Sequence, residues 1–178
     1  MRTTNILLSM LLLLCCTEVA AQINLFGFSN TRKVEGNCKY VTKEIRLSDF
    51  NNLSVSGNLS VLFTQHEEKA QVKLYCLENI ADLVEIYVEN NTLKAKVKKG
   101  YNIVDRALEI RVSAPQINSV SVSGSGDVRF ANNVSSKHIT LAVSGSGDIE
   151  GNQLLCEQLS AHISGSGNIG FNKINAQK

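Results

Sequence analysis

A short motif, Ser-Gly-Ser-Gly, occurs three times in the C-terminal half of the chain and constrains the fold more than any other feature. Each copy is followed by Asp or Asn and then by Val or Ile. The first glycines of the copies are Gly124, Gly145 and Gly165, so the period is 21 and then 20 residues. A fixed period of this length is typical of proteins in which one supersecondary unit stacks on its own copy.

Apolar residues recur in steps of two on both sides of each motif, which indicates strands with one buried face. Two residues before the first glycines stand Val122, Val143 and Ile163. Glycine suits the corner between two such strands because a positive φ costs it little. We expect an all-β fold, a parallel β-helix (β-solenoid) with a period of about 20–21 residues in its C-terminal half. An antiparallel barrel or sandwich is the alternative.

Stacking would place equivalent residues of the copies in rows about 4.7–4.9 Å apart. The valine and isoleucine row would then be interior, and the serines of the motifs would form outer ladders (Ser123, Ser144 and Ser164; Ser125, Ser146 and Ser166). Gly151 would leave room for the rings of Phe130 and Phe171. Residues 53–61 look like a degenerate early copy centred on Gly57, so the N-terminal half is predicted to extend the same stack.

The first 21 residues have the pattern of a cleavable signal peptide. Arg2 precedes an apolar run from Ile6 to Cys16, and small residues precede Gln22. A lipoprotein signal with Cys15 or Cys16 lipidated is the alternative. We expect 1–21 to be the signal peptide, 22–36 an N-terminal tether and 37–178 the β-solenoid domain. Within it, 37–115 would form irregular coils, 116–171 the repeats and 172–178 a C-terminal cap.

The short strands predicted before the repeats are 40–47, 52–64, 71–77, 84–89, 92–98 and 107–113, with a helical turn at 77–82. Turns are predicted at Asn90-Asn91 and Lys99-Gly100. The formal net charge of +2 gives no support for a nucleic-acid partner. Three cysteines follow the signal segment, Cys38, Cys76 and Cys156. We expect buried thiols, with one disulfide as the alternative, and their spacing matches no zinc pattern.

Three sets of polar residues are candidate sites. The column Asp127, Asp148 and Asn168 has ligands suited to calcium, but one acidic residue per turn favours hydrogen bonds to the backbone of its own turn. The lysines alternating along one strand (Lys94, Lys96 and Lys98, with Lys99 adjoining) could dock a polyanion, but a solvated face or a protected sheet edge is favoured. His66, His138 and His162 show no metal-binding spacing, and His162 is predicted to face solvent.

No nucleophile with its base and no carboxylate pair stands out, so no catalytic, cofactor-binding or metal-binding residue is predicted. A carbohydrate-active enzyme with a site assembled from neighbouring strands is the minority interpretation. Few aromatic residues weaken a sugar-stacking site, since the chain has no Trp and four Tyr.

The repeats, preceded by Leu108–Pro115 as LEIRVSAP, resemble the head GIN domain family of auto-transporter adhesins. The segments FNNLSVSGNLSVLFTQ (50–65) and VENNTLKAKVKKG (88–100) are similar to the opening of that family. The resemblance covers roughly residues 40–171. It implies a secreted, right-handed β-solenoid in the bacterial envelope, without known catalytic residues.

We expect an exported, non-enzymatic, adhesin-type module in the periplasm, on the outer-membrane surface or outside the cell. Its partner would be a glycan or an envelope protein, and a structural spacer without a ligand is the alternative. Because the end of a stack exposes strand edges and core, we also expect either a thin cap from 172–178 or end-to-end self-association.

Overall fold

The computed structural model describes residues 31–66, 68–104 and 108–177, so the predicted signal peptide (1–21) lies outside the described residues. The strands are β1 (Arg32–Val34), β2 (Tyr40–Ile45), β3 (Asn52–Gly57), β4 (Ser60–Gln65), β5 (Gln71–Leu77), β6 (Val84–Glu89), β7 (Thr92–Val97), β8 (Tyr101–Ile103), β9 (Glu109–Ala114), β10 (Ser119–Gly124), β11 (Asp127–Phe130), β12 (Val134–Gly145), β13 (Ile149–Gly165) and β14 (Ile169–Ala176). One helical turn, α1 (Glu78–Ala81), follows β5.

The strand pattern follows from alternation and from glycine corners. Along β3 and β10, buried aliphatic residues alternate with partly exposed serines. The corner glycines Gly57, Gly124, Gly145 and Gly165 have φ between 93° and 133°, a region that L side chains rarely adopt. Each corner thus ends one strand and redirects the chain into the next.

The copies stack in register, as the sequence predicted. Gly57 pairs with Gly124 in the ladder of β3 and β10, Gly124 with Gly145 in that of β10 and β12, and Gly145 with Gly165 in that of β12 and β13. Corner amides bond to the preceding copy: Ser146 N–H donates to the Gly124 carbonyl at 2.8 Å, and the equivalent bond from Ser166 to Gly145 is also 2.8 Å. The degenerate copy around Gly57 therefore belongs to the same stack.

Two sets of parallel ladders result. One runs in the order β7, β3, β10, β12 and the second half of β13. The other runs in the order β9, β4, β11, the first half of β13, and β14. The 17-residue strand β13 takes part in both sets and joins them into one sheet.

The prediction of a right-handed parallel β-helix is wrong, although the all-β class is confirmed. Twelve strands form one mixed, nearly closed, barrel-like sheet. Three of its pairs are antiparallel: β2 with β5, β5 with β9, and β6 with β7. The physical reason is that β6 and β7 form a hairpin through Asn90 and Asn91, both with positive φ. A separate two-stranded parallel sheet pairs β1 with β8.

The interior lies between the ladders and is aliphatic with a short aromatic row. Val122 and Val143 face each other across β10 and β12 and are almost fully buried. The rings of Phe63 and Phe130 pack edge to face with centroids 5.5 Å apart, and Phe130 and Phe171 follow at 5.6 Å. A Cβ placed on Gly151 would lie 2.5 Å from Cε1 of Phe171, so the prediction that Gly151 makes room for these rings is confirmed.

Candidate functional site

The most regular surface of the molecule is the outer side of the first set of ladders, which we name the hydroxyl face. It consists of the outward side chains on β3, β10, β12 and β13: Ser54, Ser56, Ser119, Ser121, Ser123, Thr140, Ser144, Ser160 and Ser164. All are exposed or partly exposed, whereas the residues between them on β3 and β10 are buried. The alternation of the strands therefore turns their hydroxyls to solvent.

The parallel register aligns these hydroxyls in columns. Ser56, Ser123, Ser144 and Ser164 are successive partners, and so are Ser119, Thr140 and Ser160. Neighbouring residues within a column are about 4.8 Å apart, which is the spacing of adjacent strands. Neighbouring columns are roughly 6.6 Å apart, because their residues lie two positions apart along each strand. Among the described residues, one hydroxyl of this face has a side-chain partner: Ser160 Oγ and His162 Nε2 are joined by a hydrogen bond of 3.0 Å.

Sequence reasoning found part of this face. The ladder through Ser123, Ser144 and Ser164 was predicted and is confirmed. The column through Ser119, Thr140 and Ser160 was missed although it follows from the same register of the repeats. The column through Ser54 and Ser121 was missed because it depends on which residue of β3 lies opposite β10. The alternation of serine and aliphatic residues in 53–57 was the available signal.

The predicted lysine row lies at one border of the face, on β7 and just after it. Lys94 Nζ contacts a Glu89 carboxylate oxygen at 2.5 Å, and Lys96 Nζ lies 3.2 Å from Glu85 and 5.3 Å from the ring centre of Tyr87. The hydrogen bond from Lys94 lowers the pKa of Glu89, and the hydrogen bond to Glu85 raises the pKa of Lys96.

These pairs link the antiparallel neighbours β6 and β7. Opposite charges across adjacent strands stabilise a hairpin modestly. The amines of Lys94 and Lys96 thus have carboxylate partners, which favours a solvated, ion-paired face over polyanion docking. Because β7 lies between β3 and β6, these lysines do not protect a sheet edge. Lys98 and Lys99 follow β7 and are exposed.

The predicted column Asp127, Asp148 and Asn168 forms a hydrogen-bonded ladder. Asp127 Oδ1 accepts from the Asp148 backbone N–H at 3.0 Å, and Asp148 Oδ1 accepts from the Asn168 backbone N–H at 2.7 Å. The Asn168 side-chain amide also donates to Asp148 Oδ1 at 3.0 Å. These bonds run to the following copy, so the prediction that each side chain bonds its own turn is wrong.

A groove of about 140 Å³ beside this column is lined by acidic side chains and Arg129. Its carboxylates already have partners: Glu109 contacts Arg111 at 2.5 Å, and Glu150 contacts Arg129 at 3.4 Å. In residues 31–66, 68–104 and 108–177, no cluster of three or more His, Cys, Asp or Glu is arranged to hold a metal ion.

The histidines and cysteines are scattered. The backbone N–H of Glu68 donates to His66 Nδ1 at 3.2 Å, and His138 and His162 are exposed on β12 and β13. The three cysteines of the described residues are free thiols; Cys76 and Cys156 are buried as predicted, but Cys38 is exposed. Burial raises the pKa of the Cys76 and Cys156 thiols, which makes them poor nucleophiles at neutral pH.

The described residues define an all-β protein of in-register parallel ladders with an outer face of aligned hydroxyls. The model of a protein family described as "Putative auto-transporter adhesin, head GIN domain" matches residues 49–172, and the chain belongs to this family. The resemblance seen in the sequence is confirmed. No curated protein matches the chain.

Solved structures share the fold. A putative adhesin from Parabacteroides merdae has a TM-score of 0.73 at 19% identity over 81% of this chain and 60% of its own. A putative lipid binding protein from Parabacteroides distasonis has a TM-score of 0.67 at 21% identity over 82% of this chain and 63% of its own. A putative adhesin from Bacteroides fragilis has a TM-score of 0.59 at 16% identity over 80% of this chain and all (100%) of its own.

At these identities the likeness concerns the fold alone. The chain spans 60% and 63% of the lengths of the first two structures. No helix within the described part of the chain is long and apolar enough to cross a membrane.

Proposed function

We propose that the chain is an exported, non-enzymatic, adhesin-type module whose hydroxyl face binds a glycan at the bacterial cell envelope. The observation that carries the proposal is the alignment of hydroxyls in columns across four in-register strands. Membership in an adhesin family supports the adhesin role. The apolar run followed by small residues before Gln22 supports export.

The chemistry of the face suits a polymer of sugars. Each hydroxyl is both a donor and an acceptor, as are the hydroxyls of a glycan. The rows of the face repeat every 4.8 Å or so, which allows a long ligand to form many equivalent weak contacts. The face itself has no acidic residue, and the two lysines of β7 at its border, Lys94 and Lys96, are paired with glutamates. A neutral polysaccharide therefore fits better than a polyanion.

The central test is a glycan array followed by titration of any glycan retained. Replacing Ser121 and Ser144 by Val removes one hydroxyl from each of two neighbouring strands, β10 and β12, and keeps strand propensity. Each lost hydrogen bond is expected to weaken binding by about five- to tenfold. The control is Ser60→Val, an exposed serine that starts β4 on the other set of ladders.

Retention of one glycan class that is lost in the double variant and kept in the control supports the proposal. Retention that is insensitive to the face would contradict it. Uniform silence across the array would favour the alternative of a structural spacer, and release of reducing sugar from a polysaccharide would favour an enzyme.

A further inference from the structure

Within the described residues, interior positions of the barrel-like sheet are exposed at the end of the ladders formed by the second half of β13 and by β14. Ile163 continues the interior row of Val143, yet 51% of Ile163 is exposed against 2% for Val143. Ile174 continues the row of Leu154, and 46% of Ile174 is exposed against 0% for Leu154. Interior positions are therefore left in contact with solvent at this end.

The backbone is open at the same place. Residues 157–165 of β13 pair with β12 on one side, while β14 pairs with β13 only over 149–156. Within the described residues, neither 157–165 nor β14 has a strand on its remaining side. We name these two segments together the C-terminal edge.

The edges at the other end of the sheet carry charge. On β2, Lys43 contacts Asp82 at 2.7 Å and Glu44 contacts Lys73 at 3.0 Å. On β6, Glu85 and Glu89 form ion pairs with Lys96 and Lys94 of β7. Alternating charges on an edge strand discourage pairing with another chain.

The C-terminal edge lacks this protection and is nearly neutral. Among Asp, Glu, Lys and Arg residues it contains Glu157 and Lys173, which carry opposite charges. The aspartate column ends in Asn168, directly before β14, and the amide ladder that begins at Asn133 ends in Asn172 on β14. An amide offers both a donor and an acceptor, so it can face its own copy without repulsion.

We propose that a second copy of this chain covers the C-terminal edge, joining the two sheets edge to edge around a twofold axis. A twofold interface brings a surface against itself, so it requires self-complementarity. Neutral amides, exposed aliphatic side chains and free strand edges meet that requirement, and the charged edges on β2 and β6 do not. This interface goes beyond glycan binding and does not depend on it.

The test is sedimentation equilibrium of the purified chain from low to several hundred micromolar. Ile163→Lys should weaken dimerisation by about a hundredfold, because the substitution enters a twofold interface twice. The control is Val104→Lys, since Val104 after β8 is also 51% exposed. Circular dichroism verifies that both variants keep the sheet.

A second pair of variants keeps the test decisive if Ile163→Lys fails to fold. Replacing Asn by Asp changes the charge of the side chain and leaves its size almost unchanged. Asn172→Asp puts a like charge on both copies at the edge and should weaken the dimer at low salt, with recovery at high salt. The control is Asn133→Asp, which puts the same charge at the far end of the same amide ladder. A chain that stays monomeric at all concentrations overturns the proposal. A dimer unaffected by Ile163→Lys and Asn172→Asp overturns it as well.

Discussion

Replacing Gly145 by Ala tests whether the corners of successive copies are in direct backbone contact. Gly145 has φ of 128°, and a Cβ there would overlap the carbonyl oxygen of Gly124 and lie 3.0 Å from its carbonyl carbon and its nitrogen. A side chain at this position therefore forces the two strands apart. The neighbouring bonds to Gly124 from Ser146 (2.8 Å) and Gly147 (3.1 Å) would lengthen or break.

The cost has two parts. The unfavourable φ of an alanine costs about 1–3 kcal/mol. The two weakened hydrogen bonds add about 0.5–1.5 kcal/mol each. We expect the free energy of unfolding to fall by about 3–5 kcal/mol, a large part of the stability of a domain.

Two other glycines provide matched controls. Gly100 has φ of 89° but nothing within 4 Å of an added Cβ, so Gly100→Ala should cost only the backbone term. Gly170 also has nothing within 4 Å and no positive φ, so Gly170→Ala should be neutral or stabilise by about 0.5 kcal/mol. Urea unfolding followed by far-UV circular dichroism measures all three, since the chain has no Trp. A loss of stability in Gly145→Ala no larger than that in Gly100→Ala would show that the corners are not in backbone contact.

Three further predictions concern the core and acid stability. Val143→Asp should cost several kcal/mol in urea unfolding, because a carboxylate would replace a side chain that is 2% exposed; near-native stability would show that this position is not interior. Gly151→Ala should destabilise by about 1 kcal/mol and should be largely rescued by Phe171→Leu, because the added Cβ meets that ring; additive effects in the double variant would contradict the contact. Hydrogen bonds from lysines lower the pKa of Glu78 and Glu89, so their contribution is present at neutral pH and is lost as the pH falls through and below the ordinary carboxyl range; a thermal midpoint that rises with acidification would contradict this sign.

Much of the local structure could be predicted from the sequence because alternation reports directly on burial. The predicted strands at 71–77 and 84–89 match β5 and β6, and the segment 52–64 covers β3 and β4 with Gly57 as the corner between them. The stacked register of the repeats follows from identical corners at one period, since any other register would put residues with positive φ opposite ordinary ones.

The overall architecture could not be predicted in the same way. Alternation shows which face of a strand is buried but not the direction of its neighbour, so the antiparallel pairs of β5 and β6 were missed. A glycine also does not by itself mark a corner. Gly151 lies inside the continuous strand β13, where it leaves room for the ring of Phe171.

The candidate site was predicted only in part for a similar reason. Its serine ladders follow from the repeats, but the columns on β3 depend on pairing over more than 60 residues of sequence. The hydrogen bond that Asp127 accepts from the backbone N–H of Asp148 also depends on that stacking, whereas local turn chemistry favoured a bond within its own turn.

Hydrogen-bond scalar couplings measured by NMR test the stacking of the corners most directly. The stacked register predicts a correlation between the amide nitrogen of Ser146 and the carbonyl carbon of Gly124, and another between Ser166 and Gly145, because each pair is joined by a 2.8 Å hydrogen bond. Correlations from these two amides to carbonyls outside the preceding corner would contradict it.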